Sequence, residues 1–210
     1  MFYFEEKKMG FLKNNKLALT IAIVFAVAFN FNNSFAETVS YKINGNSKMW
    51  LEGTSTLHNF KCDVKQIVGK IKTSSELFSP TSQSSLVEAN ITIPVKKIVN
   101  DDEDLTENMH EAFNEGKFPQ IKFKLTSNDL SSVNPKSIKA KVNGELTISG
   151  VTKLVSFDVI FKDNSGSIAV TGNTVVKMTD YGIKPPTMFL GTIKAGNEVK
   201  VFFELSLNKE

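Results

Sequence analysis

The sequence predicts an all-β, antiparallel fold with long, bent strands, and three observations carry that reading. Apolar residues recur at every second position on both sides of a short break in 141–161: Val142, Leu146 and Ile148 before it, Val155, Phe157, Val159 and Phe161 after it. Successive side chains of a strand point to opposite faces, so each half has one apolar face and one wet face. Further strand-like segments fill most of the chain after residue 37, with a single helical segment among them. Within one long segment the apolar positions change parity near Gln66, as a bulge or bend would make them do. A sandwich and a closed barrel both satisfy such alternation. Long strands, the bend and the lone helix favour a barrel of about eight strands, because closing a sheet requires tilted, bent strands. Periodicity alone does not separate the two.

The first element is a leader. Lys13 and Lys16 precede an apolar run, Leu17–Phe29, and Ser34-Phe35-Ala36 follows. A basic start, an apolar stretch and small residues at −3 and −1 define a secretory signal peptide over 1–36, cleaved after Ala36. The run falls short of the roughly 20 residues a membrane span needs. No Cys at the cleavage point would take a lipid anchor, and nothing later is apolar enough to span. The mature chain, 37–210, has the length of one domain and is expected in the periplasm.

Thr38–Ile43 alternates through Val39, Tyr41 and Ile43, and Lys48–Ser55 carries Met49 and Leu51. His58–Thr73 holds Phe60, Cys62 and Val64 on one parity, then Ile67, Gly69 and Ile71 on the other. Ser75–Ser85, rich in Ser and Thr with Pro80, is a loop. Leu86–Val95, Pro119–Ser127, Ser167–Thr179 and Glu198–Leu207 complete the set with the 141–161 pair. In that pair Ser149-Gly150-Val151-Thr152 is the turn, with Gly150 free to take positive φ. The helix is placed near 104–114. Asp104 is its N-cap, Glu107 completes a capping box, and Leu105, Met109, Ala112 and Phe113 form its apolar face. Gly116 and Pro119 are its stop signals.

Composition excludes several functions. The net charge of +3 falls to about +1 when four Lys and two Glu leave with the leader. All basic residues are Lys; the absence of Arg, the preferred reader of phosphates and bases, argues against nucleic acid. Cys62, the only cysteine, rules out an internal disulfide and falls on an apolar parity as a buried thiol. No nucleophile elbow, zinc-protease helix or phosphate loop is present. His58 and Cys62 lie roughly 13 Å apart along an extended strand, too far to share a metal. The sequence therefore predicts no catalytic residue, no metal and no cofactor.

The aromatic residues remain. Ten of the seventeen Phe lie after the leader, and Phe60, Phe123, Phe157, Phe161 and Phe203 fall on inward faces. They suit an ordinary core or a barrel lined for a long apolar chain. At about 0.3 kcal/mol per heavy atom, eight isoprene units would contribute about 12 kcal/mol, near nanomolar affinity without a charged anchor.

Four segments resemble one family in order. These are Gly53–Phe60 (GTSTLHNF), Phe113–Ser127 (FNEGKFPQIKFKLTS), Val142–Leu154 (VNGELTISGVTKL) and Lys177–Lys194, with Asp180-Tyr181-Gly182 near its start. Over nearly the whole mature chain the sequence is similar to the YceI-like family, exported polyisoprenoid-binding proteins with a lipocalin-like barrel. It departs from them at Phe60-Lys61-Cys62, where other members carry a His-Leu-Gly-Val-Ser type. The resemblance implies a non-enzymatic protein that binds or carries an isoprenoid lipid, a quinone or a polyprenyl chain, in an apolar channel. We assign that channel to Phe60, Ile121, Phe123, Phe157, Phe161, Val201 and Phe203. His58, Asp180 and Tyr181 are candidate head-group contacts at its mouth, the helix is a candidate cover, and Pro185-Pro186 is a candidate rim. A filled barrel that binds partners through Trp50 and Phe202, which lie off the inward parity, is the alternative. A modifying enzyme is a further one, and a homodimer is left open.

Overall fold

The computed structural model describes residues 38–78, 84–188 and 191–210. The leader 1–36, its cleavage after Ala36, and Pro80 lie outside these residues. β1 (Val39–Ile43) and β2 (Lys48–Ser55) lie end to end along β12 (Ile193–Lys209), with Ile43 opposite Leu207 and Lys48 opposite Glu204. β3 (Asn59–Val64) and β4 (Val68–Thr73) continue one another in the same way, as do β5 (Leu86–Pro94) and β6 (Ile98–Val99). β7 (Gln120–Asn134), β8 (Ser137–Ile148), β9 (Val151–Asn164) and β10 (Ser167–Lys177) are long, and β11 (Thr187–Met188) is a short addition to β12. The ring runs β1-β4-β5-β7-β8-β9-β10-β12, and β12 pairs with β1 to close it. All these pairings are antiparallel, so the sheet is a closed barrel.

Closure depends on bends, because a sheet joined to itself must turn corners. Three strand breaks, Asn44–Ser47, Lys65–Ile67 and Val95–Lys97, lie in neighbouring staves. The Asn44 N–H donates to the Ser206 carbonyl (2.9 Å) and the Lys65 N–H to the Lys97 carbonyl (2.7 Å), so backbone freed at the breaks is still paired. The parity switch near Gln66 is the middle break.

The expected hairpin is β8–β9. Val142 faces Phe157 across it and Ala140 faces Val159, all on the inner side. Its turn is tighter than the sequence suggested: only Ser149 (φ 48°) and Gly150 (φ 77°) are outside the ladder. Positive φ at both central residues matches the right-handed twist of the flanking strands. β7 and β8 also run much further than Pro119–Ser127 and 141–148 indicated. Irregularities between Leu125 and Ser127 and between Leu130 and Ser132 shift the register of β7 and hide its continuation from a strict two-residue period, whereas β8 keeps that period through Ile138, Ala140 and Val142. β10 stops at Lys177, and Met178–Tyr181 forms a 3-10 turn where a strand was expected.

The helix, α1 (Glu103–Ala112), is one to two residues from its expected place, and its caps differ. Asp102, not Asp104, is the N-cap: its carboxylate accepts from the Leu105 N–H at 3.1 Å. Asn100 preorganises that turn by accepting from the Asp102 N–H (2.8 Å), and the Thr106 hydroxyl accepts from the Asn100 N–H (2.9 Å). At the other end Asn114 (φ 53°) takes the left-handed conformation expected of Gly116. Among the described residues no helix is long and apolar enough to cross a membrane.

The inner face grades from packed to hollow. Where β1 begins and β12 ends, Tyr41, Ile71, Ile138, Ala140, Phe161 and Leu207 are each at most 4% exposed. Toward α1, β9 passes from buried Phe161 and Val159 to half-buried Phe157 and Val155. β12 likewise passes from buried Leu207, Leu205 and Phe203 to half-buried Val201.

Candidate functional site

The hollow half of the barrel is a cavity of about 370 Å³. That lies within the range of small-molecule pockets, roughly 300–1,000 Å³. All seven residues assigned to the channel from sequence line it: Phe60, Ile121, Phe123, Phe157, Phe161, Val201 and Phe203. They come from β3, β7, β9 and β12, so the barrel brings together positions far apart in sequence. Met49, Leu51, Ile91, Ile93 and Leu146 join them; strict inward parity along their strands is the signal that could have found them.

The rings are arranged around the wall. Phe157 sits between Phe123 (centroids 5.5 Å apart, 53° between planes) and Phe203 (5.9 Å, 74°), the tilted and edge-on geometries aromatic pairs prefer. Three rings lie over glycines of neighbouring strands. A Cβ added to Gly53 would stand 2.2 Å from Cζ of Phe60, one on Gly144 2.4 Å from Cε2 of Phe123, and one on Gly172 2.4 Å from Cζ of Phe203. Each ring thus occupies wall space that any larger residue would take. This placement keeps aromatic bulk out of the lumen.

α1 covers this end of the barrel. Leu105, Met109, Ala112 and Phe113, the face expected from helical spacing, line the cavity. None of the helix's residues is fully buried, since that face looks into a void. Two hydrogen bonds tie the helix down: His110 Nε2 donates to the Ile98 carbonyl (2.8 Å), and the Ser149 hydroxyl of the β8–β9 turn donates to the Phe113 carbonyl (2.9 Å). Around the helix the lining includes Leu57, 67% exposed, on the β2–β3 turn, and Pro186 of the expected rim.

The three mouth candidates separate. His58 lines the cavity from an exposed position, and the Ser55 hydroxyl binds its backbone N–H (3.1 Å) and carbonyl (2.8 Å). Tyr181 lines it from a buried position, 4% exposed, packed with Ile148 and Ile183. Asp180 points to solvent and is not part of the lining. The 3-10 turn separates these neighbours, and strand parity could not anticipate it. Burial, and secondarily the Asp180 charge, raises the Tyr181 pKa above its ordinary value.

Cys62 is buried as expected, 1% exposed, on the cavity wall. Burial pushes its thiol up to about 11, against a hydrogen bond with Asn100 and with help from the Asp63 charge. The folded thiol therefore keeps its proton where the unfolded one loses it, and stability is fully present below pH 9.0 and falls as pH rises through about 11. A shift of about two units corresponds to about 2.7 kcal/mol. Urea unfolding between pH 8.5 and pH 11.5 is expected to show a loss of that order, smaller by the thiol's share in Cys62→Ala. Among the described residues no three His, Cys, Asp or Glu side chains come together as a metal set.

Trp50 and Phe202 stack on the barrel's outside, centroids 5.3 Å apart and planes 10° apart, with the Lys61 ammonium 5.3 Å from the indole centroid.

A family model described as a YceI-like domain matches residues 29–207. BcnA of Burkholderia cenocepacia is similar in structure, with TM-score 0.62 and 19% identity over 77% of this chain and 96% of that one. A polyisoprenoid binding domain from Saccharophagus degradans gives TM-score 0.63 and 14% identity, over 82% and 99% of the two chains. The YCEI protein of Campylobacter jejuni gives 0.56 and 18%, over 72% and 85%. At these identities the likeness is one of fold. No curated protein sequence matches the chain.

Proposed function

The chain belongs to the YceI-like domain family, and from that premise we propose that it binds or carries an isoprenoid lipid in the periplasm. The lipid's apolar chain lies along Phe60, Ile121, Phe123, Phe157, Phe161, Val201 and Phe203. The observation that carries this reading is the lumen itself: about 370 Å³ of space walled almost wholly by apolar side chains and covered by an amphipathic helix. A barrel acting only through its outer face would fill that space, because empty apolar volume forfeits dispersion contacts. The ionisable lining residues lie apart in the fold, His58 in the β2–β3 turn, Cys62 on β3, Asp102 at the N-cap of α1 and Tyr181 in the 3-10 turn, so we assign the cavity no catalytic role. The likeness to a polyisoprenoid binding domain supports the ligand class, and the leader supports export.

Native mass spectrometry of the protein purified from its own host, followed by organic extraction, tests the proposal. The expected result is a bound isoprenoid. Recovery of none, together with no binding of added ubiquinone or menaquinone, would overturn it.

A further inference from the structure

We propose that the β2–β3 turn docks on a bilayer surface, with Leu57 inserted among the lipids, so that the mouth of the lumen opens against the membrane that supplies its ligand. This rests on the isoprenoid reading above and adds where the lipid is exchanged.

Exposure places the mouth. Among the described residues only three of the side chains that line the cavity are exposed: Leu57 and His58 of the β2–β3 turn, and Asp102 at the N-cap of α1. The opening therefore lies between that turn and the first turn of the helix. The other end of α1 is shut. Phe113 packs with the buried cluster of Ile148, Tyr181 and Ile183, and its carbonyl accepts from the Ser149 hydroxyl. Leu57 is the one apolar residue of the three, and it is 67% exposed.

A single exposed leucine is ordinary on a protein surface. This one is held out by its surroundings. The Ser55 N–H and hydroxyl both donate to the His58 carbonyl (3.0 and 2.8 Å), and the same hydroxyl accepts from the N–H groups of Leu57 and His58 (3.2 and 3.1 Å). The turn is also fastened to β12. The Thr56 N–H donates to the Lys194 carbonyl (3.0 Å), and the Thr56 hydroxyl accepts from the Lys194 N–H (3.2 Å) and donates to the Thr192 carbonyl (3.2 Å). With its backbone bonded on both sides, the turn keeps Leu57 at the lip whether or not the lumen is filled.

Two physical arguments choose a bilayer as the partner. Every CH₂ of a prenyl chain adds to the cost of bringing it into water, and over about eight isoprene units that cost makes passage through water negligible. The lipid must then cross between membrane and lumen with the mouth against the bilayer. An apolar side chain on that lip sits at the boundary of head groups and acyl chains, where buried apolar area sets the strength of binding. Charge is not the attraction. Asp101, Asp102, Glu103 and Asp104 stand on the helix side of the mouth, against Lys194 beside Thr56 and His58 in the turn. Such a lip is not the polybasic surface that anionic lipids hold. It suits contact by insertion into zwitterionic lipid, which salt leaves nearly unchanged.

Uptake of ubiquinone by protein purified from its own host, measured from phosphatidylcholine vesicles and from detergent micelles, tests this. Leu57→Asp is expected to slow uptake from vesicles about tenfold and uptake from micelles far less. For the parent protein, uptake from vesicles is expected to change less than about twofold between low and high salt. A second measurement places an indole at the lip. Trp50, the only tryptophan, is replaced by Phe, and Leu57→Trp or Val87→Trp is added to that variant. Val87 is 54% exposed and follows Leu86, which pairs with Thr73 at the packed end of the barrel. On vesicles, emission is expected to shift to the blue and to be quenched by brominated lipid in the Leu57→Trp protein, and to do neither in the Val87→Trp protein. Emission that ignores vesicles in Leu57→Trp, or an equal response in Val87→Trp, overturns the docking proposal. So does uptake by Leu57→Asp that matches the parent, or that falls equally from both sources, or a steep fall with salt. Each of these leaves the isoprenoid reading standing. A parent protein that takes up ubiquinone from neither source overturns both.

Discussion

Alanine at Phe203 is expected to lower the unfolding free energy by about 3–5 kcal/mol, the usual cost of emptying a phenylalanine site in a core. The ring is 8% exposed, edge-on to Phe157 and laid over Gly172, so its loss strips contacts from two neighbouring strands. Phe157→Ala should fall at or below the low end of that range, because its ring is already half-open to the lumen. Both rings line the cavity. A prenyl ligand is therefore expected to bind at least tenfold more weakly to the double variant. Urea unfolding and ligand titration on the same samples separate the two effects. A folded double variant with unchanged affinity would mean that the lipid chain does not lie on these rings.

Gly53→Ala is expected to do the opposite, leaving stability nearly intact while closing the lumen. The three atoms nearest the new methyl all belong to the Phe60 ring, at 2.2 Å from Cζ and 2.8 Å from Cε1 and Cε2. Gly53 lies in a strand without positive φ, so the backbone accepts alanine and recovers about 0.5–1 kcal/mol of entropy. The ring must leave the wall, and the lumen is the open side. Affinity for a long prenyl chain should drop tenfold or more, with a stability change within about 1 kcal/mol. Adding Phe60→Leu removes the displaced ring and should restore most of the binding. Gly144 and Gly172 are less clean sites, because a Cβ there would also crowd the Lys124 carbonyl at 2.7 Å or the Asp158 carbonyl at 2.9 Å. Unaltered prenyl affinity in Gly53→Ala would show that this ring does not gate the space.

What could be read in advance was local. Val155, Phe157, Val159 and Phe161 declare their face by spacing alone, since period two is a property of one strand. The bend near Gln66 showed for the same reason. The helix showed through its apolar spacing, but four consecutive acids, Asp101 to Asp104, each offer a cap, and the Asn100 turn that selects Asp102 is tertiary detail. The continuation of β7 past Ser127 was hidden by bulges that break parity, whereas the earlier start of β8 lies in plain alternation through Ile138, Ala140 and Val142. The glycine–phenylalanine contacts depend on cross-strand register, such as Gly53 opposite Phe60 and Gly172 opposite Phe203. No pattern within a single strand encodes them. Tyr181 and Asp180 are adjacent in sequence and look equivalent there; the 3-10 turn alone sends one inward and the other out.

β12 has a consequence for how the molecule comes into being. It pairs with β10 along one edge and with β2 and then β1 along the other, and the Tyr41–Lys209 pair is among those that complete the ring. Until residues near 209 are present, β10, β1 and β2 each show a bare edge of the kind that recruits other chains. Closing the ring also means joining segments separated by nearly the whole domain before any reward is collected. The barrel is therefore assembled late and as a whole. A growing chain stays an open, association-prone sheet until its final stave arrives, and folding belongs to the slow class of non-local β topologies, on the order of milliseconds to seconds.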